Sequence, residues 1–220
     1  MRRANITVLA LLIALQLISC RGSELSDTTV ATTTAAPTTT ATPTAESSGA
    51  QPLTMGALEA GEYQTRNFNP TLTFTLPDGW QQYFAEDVDE IALGGPNADL
   101  NVTRPSRVLD PETGMIDTPE DLADWLLNHS RFVATETESA QVAGIESRVI
   151  DIEGPAGTVE FFAYPEGNMR VPAGLAARFV VIPMDGPDLV LVVLPTRGTL
   201  AEAIDATQSI VNSLAIVDGP

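Results

Sequence analysis

The chain of 220 residues contains one cysteine, one histidine and no lysine, and only 5% of it is aromatic. Each shortage removes a class of explanation. One cysteine excludes a disulfide within the chain, so the folded part is held by its core alone. One histidine, His129, excludes a metal site built on two histidines, and any Ser-His-Asp arrangement has to use it. No G-x-S-x-G, P-loop or G-x-G-x-x-G string occurs, so no cofactor and no catalytic residue is expected. With few aromatics there is no obvious sugar platform for a pair of glycosidase carboxylates. The 11 basic residues, all arginine, face 29 acidic ones, giving a net charge of -18. Such a chain repels phosphate backbones and anionic headgroups, which excludes nucleic acid as a partner and a basic patch as a membrane attachment.

What is present begins at the N-terminus. Arg2 and Arg3 precede an apolar run, Ile6 to Leu17, interrupted only by Thr7 and Gln16. Export machinery reads this pattern, and the run is short of the ~20 apolar residues that span a bilayer. Leu17-Ile18-Ser19-Cys20 resembles the lipobox of bacterial lipoprotein signal peptides. That resemblance implies that the Cys20 thiol receives a diacylglyceryl group and becomes the new N-terminus, so that the membrane is a partner through this lipid. The other reading is an ordinary secretory peptide and a secreted protein. From Arg21 to Pro52 the chain is Thr, Ala, Ser and Pro with almost no large apolar residue. It cannot bury enough surface to offset the entropy of ordering, and predicts a disordered tether reaching roughly 30 Å. An O-glycosylated stalk is the other reading of such a run. The expected organisation is a signal peptide (1–19), a lipidated Cys20 with its tether (20–53) and one domain (54–220).

Alternation marks strands in the domain. In PTLTFTLPDGW, Leu72, Phe74 and Leu76 face one way and Thr71, Thr73 and Thr75 the other, followed by a Pro77-Asp78-Gly79 turn. Trp80 to Phe84, Glu90 to Gly94 and ADLNVTR, with Leu100 and Val102 inward, read as further strands. Pro105 to Asp117 reads as a loop. A helix is expected from an N-cap at Thr118 to near Arg131, with Leu122, Trp125, Leu126 and His129 on one face. QVAGIESRVIDIEG predicts one strand bent at Gly144, with GTVEFFAY as its partner. Ala177 to Ile182 and Leu189 to Leu194 are apolar at nearly every position, the signature of central strands covered on both faces. Thr199 with Glu202 three residues on forms a capping box for a last helix burying Leu200, Ala203, Ile204, Thr207, Val211 and Leu214. The expected class is α+β: an antiparallel sheet of about six to eight strands flanked by two main helices.

Two acidic runs, EDVDE (Glu86 to Glu90) and DTPEDLAD (Asp117 to Asp124), offer oxygen ligands for calcium, but neither matches an EF-hand loop. Neither is therefore taken as a metal site. The stretch AYPEGNMRVPAG (Ala163 to Gly174) reads as a long loop between two hydrophobic strands, a candidate binding loop carrying Tyr164, Met169 and the cation Arg170. The order of LTFTLPDGW, VAGIESRVIDI, the closing hairpin and IDATQSIVNSLAI, behind a lipobox and tether, resembles small bacterial envelope lipoproteins of the PsbP-like type, including the mycobacterial LpqN-type proteins. The resemblance implies an antiparallel sheet with flanking helices and an accessory or binding role. The functional expectation is a lipid-anchored, extracytoplasmic, non-enzymatic protein that binds a small apolar ligand or an envelope protein. An envelope hydrolase using carboxylates and His129, or a spacer domain without ligand, is the alternative.

Overall fold

The computed structural model describes residues 49–164 and 167–217. The signal peptide, Cys20 and the expected tether as far as residue 48 lie outside the described residues, whereas the last residues assigned to the tether belong to the fold: Gln51 and Pro52 form a short strand and Leu53 is buried in the core. By contacts the chain separates into units 1–44 and 45–220, and the fold below is that of the second.

Strands come first in the chain: β1 (Gln51–Pro52), β2 (Gly56–Ala57), β3 (Gly61–Gln64), β4 (Thr71–Leu76), β5 (Gln81–Gln82), β6 (Glu90–Gly94), β7 (Ala98–Thr103), β8 (Arg107–Asp110) and β9 (Gly114–Asp117). After α1 (Leu122–Leu127) follow β10 (Ala134–Glu136), β11 (Ala140–Val142), β12 (Ile145–Ile152), β13 (Val159–Tyr164), β14 (Gly167–Val171), β15 (Ala177–Ile182) and β16 (Leu189–Pro195). The last elements are α2 (Leu200–Ser213) and β17 (Ala215–Val217).

The fold is mostly β, which corrects the α+β expectation. Seventeen strands form three sheets among the described residues, and the two helices have only 6 and 14 residues. A nine-stranded sheet runs β10-β12-β15-β16-β7-β6-β5-β2, with β11 also on β12. Two four-stranded sheets run β1-β3-β4-β17 and β14-β13-β8-β9.

The large sheet separates two apolar cores because side chains alternate along each strand. Val180, Ile182, Leu191 and Val193 join a core with Leu72, Phe74, Leu76 and the α2 residues Ala203 and Ile210. Phe179, Val181, Val190 and Val192 join the other, with Phe161, Phe162, Val108 and the α1 residues Leu122 and Leu126. The expectation that β15 and β16 are covered on both faces therefore holds, and they pair from Ile182 opposite Leu189.

Turn chemistry explains most departures. The stretch read as a loop after Pro105 is the β8–β9 hairpin, in which the Asp110 carboxylate accepts hydrogen bonds from the Glu112 and Thr113 amides and the Thr113 hydroxyl. The strand expected to bend at Gly144 is a hairpin of β11 and β12: Ala143 and Gly144 both have positive φ, 52° and 77°, the pair a two-residue type I′ turn requires. The partner of β12 is β15, with β10 and β11, while β13 pairs with β14 and β8. The register of β13 shifts between Glu160 and Phe162, which lets consecutive Phe161 and Phe162 both point inward. Gly154 has a steric reason: a Cβ there would fall 2.4 Å from the Gly174 backbone.

The first helix is shorter than its apolar spacing suggests. Its N-cap is Asp121, accepting from the Asp124 amide at 2.8 Å, whereas the Thr118 hydroxyl donates to the Pro105 carbonyl. The last helix begins as expected, with the reciprocal Thr199–Glu202 capping box. Its buried face is Ala203, Thr207, Ile210 and Leu214, with Leu200, Ile204 and Val211 half-buried. Trp80 to Phe84 contributes only two strand residues, Gln81 and Gln82.

Candidate binding cleft

Met169 is a buried side chain on β14, and Tyr164 ends β13 at the tip of the same hairpin. Across from that tip runs the connection from β5 to β6, which carries the acidic run Glu86 to Glu90. Between the two lies a cleft of about 510 Å³. Phe84, Ala85, Glu86, Asp87, Asp89 and Glu90 form one wall, and Tyr164, Gly167, Asn168 and Met169 the other.

The acidic wall is fixed by its backbone. One Glu86 oxygen accepts from three successive amides, Arg66, Asn67 and Phe68, at 2.7, 2.6 and 2.7 Å. Three converging N–H donors on an anion form a nest, here filled by the chain's own carboxylate. The Val88 carbonyl accepts from the Asn69 amide, the Asp89 carbonyl from the Arg104 amide, and the Asp87 amide donates to the Glu90 carbonyl. Arg104 tightens the same corner by donating to the carbonyls of Asn69, Asp185 and Pro187. The opposite wall is held through Tyr164, whose hydroxyl shares a hydrogen bond with that of Thr103, a buried residue of β7. Burial pushes the Tyr164 phenol far above its ordinary pKa, with the Glu90 and Asp89 charges adding to the effect, so it stays neutral. Burial, then the Asp87 charge, also raises the Asp89 carboxyl.

The candidate residues of the sequence separate here. Tyr164 and Met169 line the cleft; Arg170 is exposed on β14 opposite Glu160 and is not part of the lining. The stretch read as a long loop is a β-hairpin, and its neighbour, the acidic run considered for calcium, supplies most of the other wall. Among the described residues no group of three or more His, Cys, Asp or Glu is placed to hold a metal ion. Phe84, 41% exposed, lines the same wall, and nothing in its sequence neighbourhood marks a cavity.

His129 lies elsewhere. It is buried beyond the end of α1, stacked on Phe132 at 4.3 Å and edge-on to Trp125 at 4.8 Å. Its Nδ1 accepts from the Arg131 amide, and its Nε2 is buried without a hydrogen-bond partner. Burial lowers its pKa below the ordinary value.

No family model matches the chain, and no curated protein is significantly similar to it. Among solved structures it is similar to the solution structure of cyanobacterial PsbP (CyanoP) from Synechocystis sp. PCC 6803. The match has 12% identity and a TM-score of 0.31, and covers 74% of this chain and 96% of that one.

Proposed function

We propose that the protein is a lipid-anchored, extracytoplasmic binding protein without catalytic activity, and that the cleft between the acidic connection and the β13–β14 hairpin is its binding site. The observation that carries this reading is preorganisation. A concavity of about 510 Å³ has one wall clamped by Glu86 on three amides and the other by the Tyr164–Thr103 contact. A wall ordered before binding spares a ligand the entropy of ordering it. The lipobox-like Leu17-Ile18-Ser19-Cys20 supports anchoring to the outer face of the cell membrane. A small ligand or a segment of another envelope component is the occupant.

The full chain, purified from its own envelope, tests both parts. Its mass under native conditions is expected to exceed its denatured mass by a discrete ligand or partner. The Cys20→Ala chain is expected in the soluble fraction. Equal masses together with failure of any envelope component to cross-link would contradict the binding role; a Cys20→Ala chain still wholly membrane-bound would contradict the anchor.

A further inference from the structure

The cavity beside His129 shares no lining residue with the cleft. It measures about 430 Å³, within the roughly 300–1,000 Å³ usual for small-molecule sites, and lies where the end of β8, the start of β13 and the turn after α1 meet. His129, 5% exposed, forms part of its lining. The Nδ1 of this ring accepts from the Arg131 amide, which leaves the proton of the neutral imidazole on Nε2. That N–H is buried and unmatched: the Leu109 carbonyl and the Asp110 carboxylate face the ring from the lining, yet neither accepts a hydrogen bond from it. Buried donors without an acceptor are rare in folded proteins. The exposed Arg131 guanidinium, also in the lining, has no carboxylate within ion-pair distance among the described residues. We infer that this cavity is a second binding site, and that it takes a free α-amino acid with an apolar side chain.

The unmatched donors select a carboxylate. A guanidinium presents a planar fork that fits two carboxylate oxygens, and the Nε2–H is a further donor without a partner in the chain. The acids of the lining are already engaged: Asp110 Oδ1 accepts from the Glu112 and Thr113 amides and the Thr113 hydroxyl, and Glu160 Oε2 accepts from the Asn168 side chain at 3.1 Å. Those two carboxylates select the other end of the ligand. One guanidinium between two negative charges repels an inorganic phosphate or a simple carboxylic acid, whereas an ammonium on the same molecule offsets the repulsion. A zwitterion also meets no long-range barrier in approaching a chain of net charge -18. Leu109, Pro111 and Val159 supply apolar lining for the side chain of the amino acid, and the Thr158 hydroxyl adds one polar contact.

The probe is L-leucine, titrated into the full chain in detergent and followed by calorimetry. Leucinamide, which lacks the carboxylate, and isocaproate, which lacks the ammonium, are the controls. Saturable one-to-one binding of leucine is expected, with each control at least about tenfold weaker. Arg131→Ala should weaken leucine at least about tenfold, and His129→Phe, which keeps a ring against Phe132 and removes the N–H, about fivefold. Glu160→Gln should weaken leucine about threefold without weakening isocaproate, a split that a merely structural role of Glu160 would not produce. Arg197→Ala removes the same charge as Arg131→Ala at an exposed site outside the cavity and should change binding less than about twofold. Circular dichroism confirms that each variant is folded; should His129→Phe fail to fold, Arg131→Ala and the two control ligands carry the test. The inference is overturned if leucine does not bind at millimolar concentration, if either control binds as tightly as leucine, or if Arg197→Ala weakens leucine as much as Arg131→Ala does.

Discussion

His129 shows how far one side chain can be read. Its position seven residues after Leu122 marks it as facing the core, and it is buried, 5% exposed, but α1 has ended at Leu127, so it packs from the following turn. Burial between Trp125 and Phe132 disfavours the charged form of this imidazole. Burial lowers its pKa, and the nearby Arg131 charge adds to this, while the Leu109 carbonyl and the Asp110 charge offset part of it. The unfolded chain takes up this proton near pH 6.5 and the folded one only at lower pH, so between those values the unfolded state binds more protons and stability falls as pH falls. His129→Phe removes this group while keeping a ring for the stack. Between pH 7 and pH 5 the wild type should lose stability relative to His129→Phe, by at most about 1.4 kcal/mol per pH unit, read from denaturant titrations at each pH. A difference between the two proteins that does not change with pH would contradict the assignment. Arg148 was not legible at all. Its carboxylate partners lie 27, 24 and 12 residues away in sequence, and only the folded chain brings them together.

At the scale of elements, periodicity predicts a segment's type better than its boundaries. β4, β7, β15 and β16 and the capping-boxed α2 follow from alternation and caps. The misread segments are those whose turns decide the structure: Ala143-Gly144 folds one expected strand into two, and the Asp110 turn converts an expected loop into β8 and β9. The first helix is cut back because Asp121 supplies the cap and the Thr118 hydroxyl is spent on the Pro105 carbonyl. What such a short helix lacks in length it recovers through Arg148, which ties its first turn to β10 and β12. Hydrogen bonding to Glu136 is the first cause of the high Arg148 pKa, so the cation persists at every working pH. Its side chain is 35% exposed, and solvent screens each pair. Arg148→Ala should therefore cost only about 1 kcal/mol in denaturant unfolding, with faster amide exchange in the first turn of α1. Unchanged exchange there would show that the helix is held by Leu122 and Leu126 alone.

For the whole molecule, the sequence predicts a single folded unit with antiparallel pairing and buried central strands. It does not predict three sheets around two cores. Which strands share a sheet is settled by long-range pairing: β17 returns to β4 and β8 joins β13, across separations that no local pattern encodes. The cleft has the same origin, since the acidic run and the Tyr164 end of β13 are ordinary alone and form a concavity only where the folded chain sets them across from each other. The central claim is that this concavity is occupied in the envelope. A photoreactive amino acid placed at Phe84 on the rim, compared with one at the more exposed Met115 of β9, which lies outside the cleft, tests it in intact cells. The account predicts a discrete adduct from position 84 and none from position 115. The same adducts from both positions, or none from position 84, would contradict it.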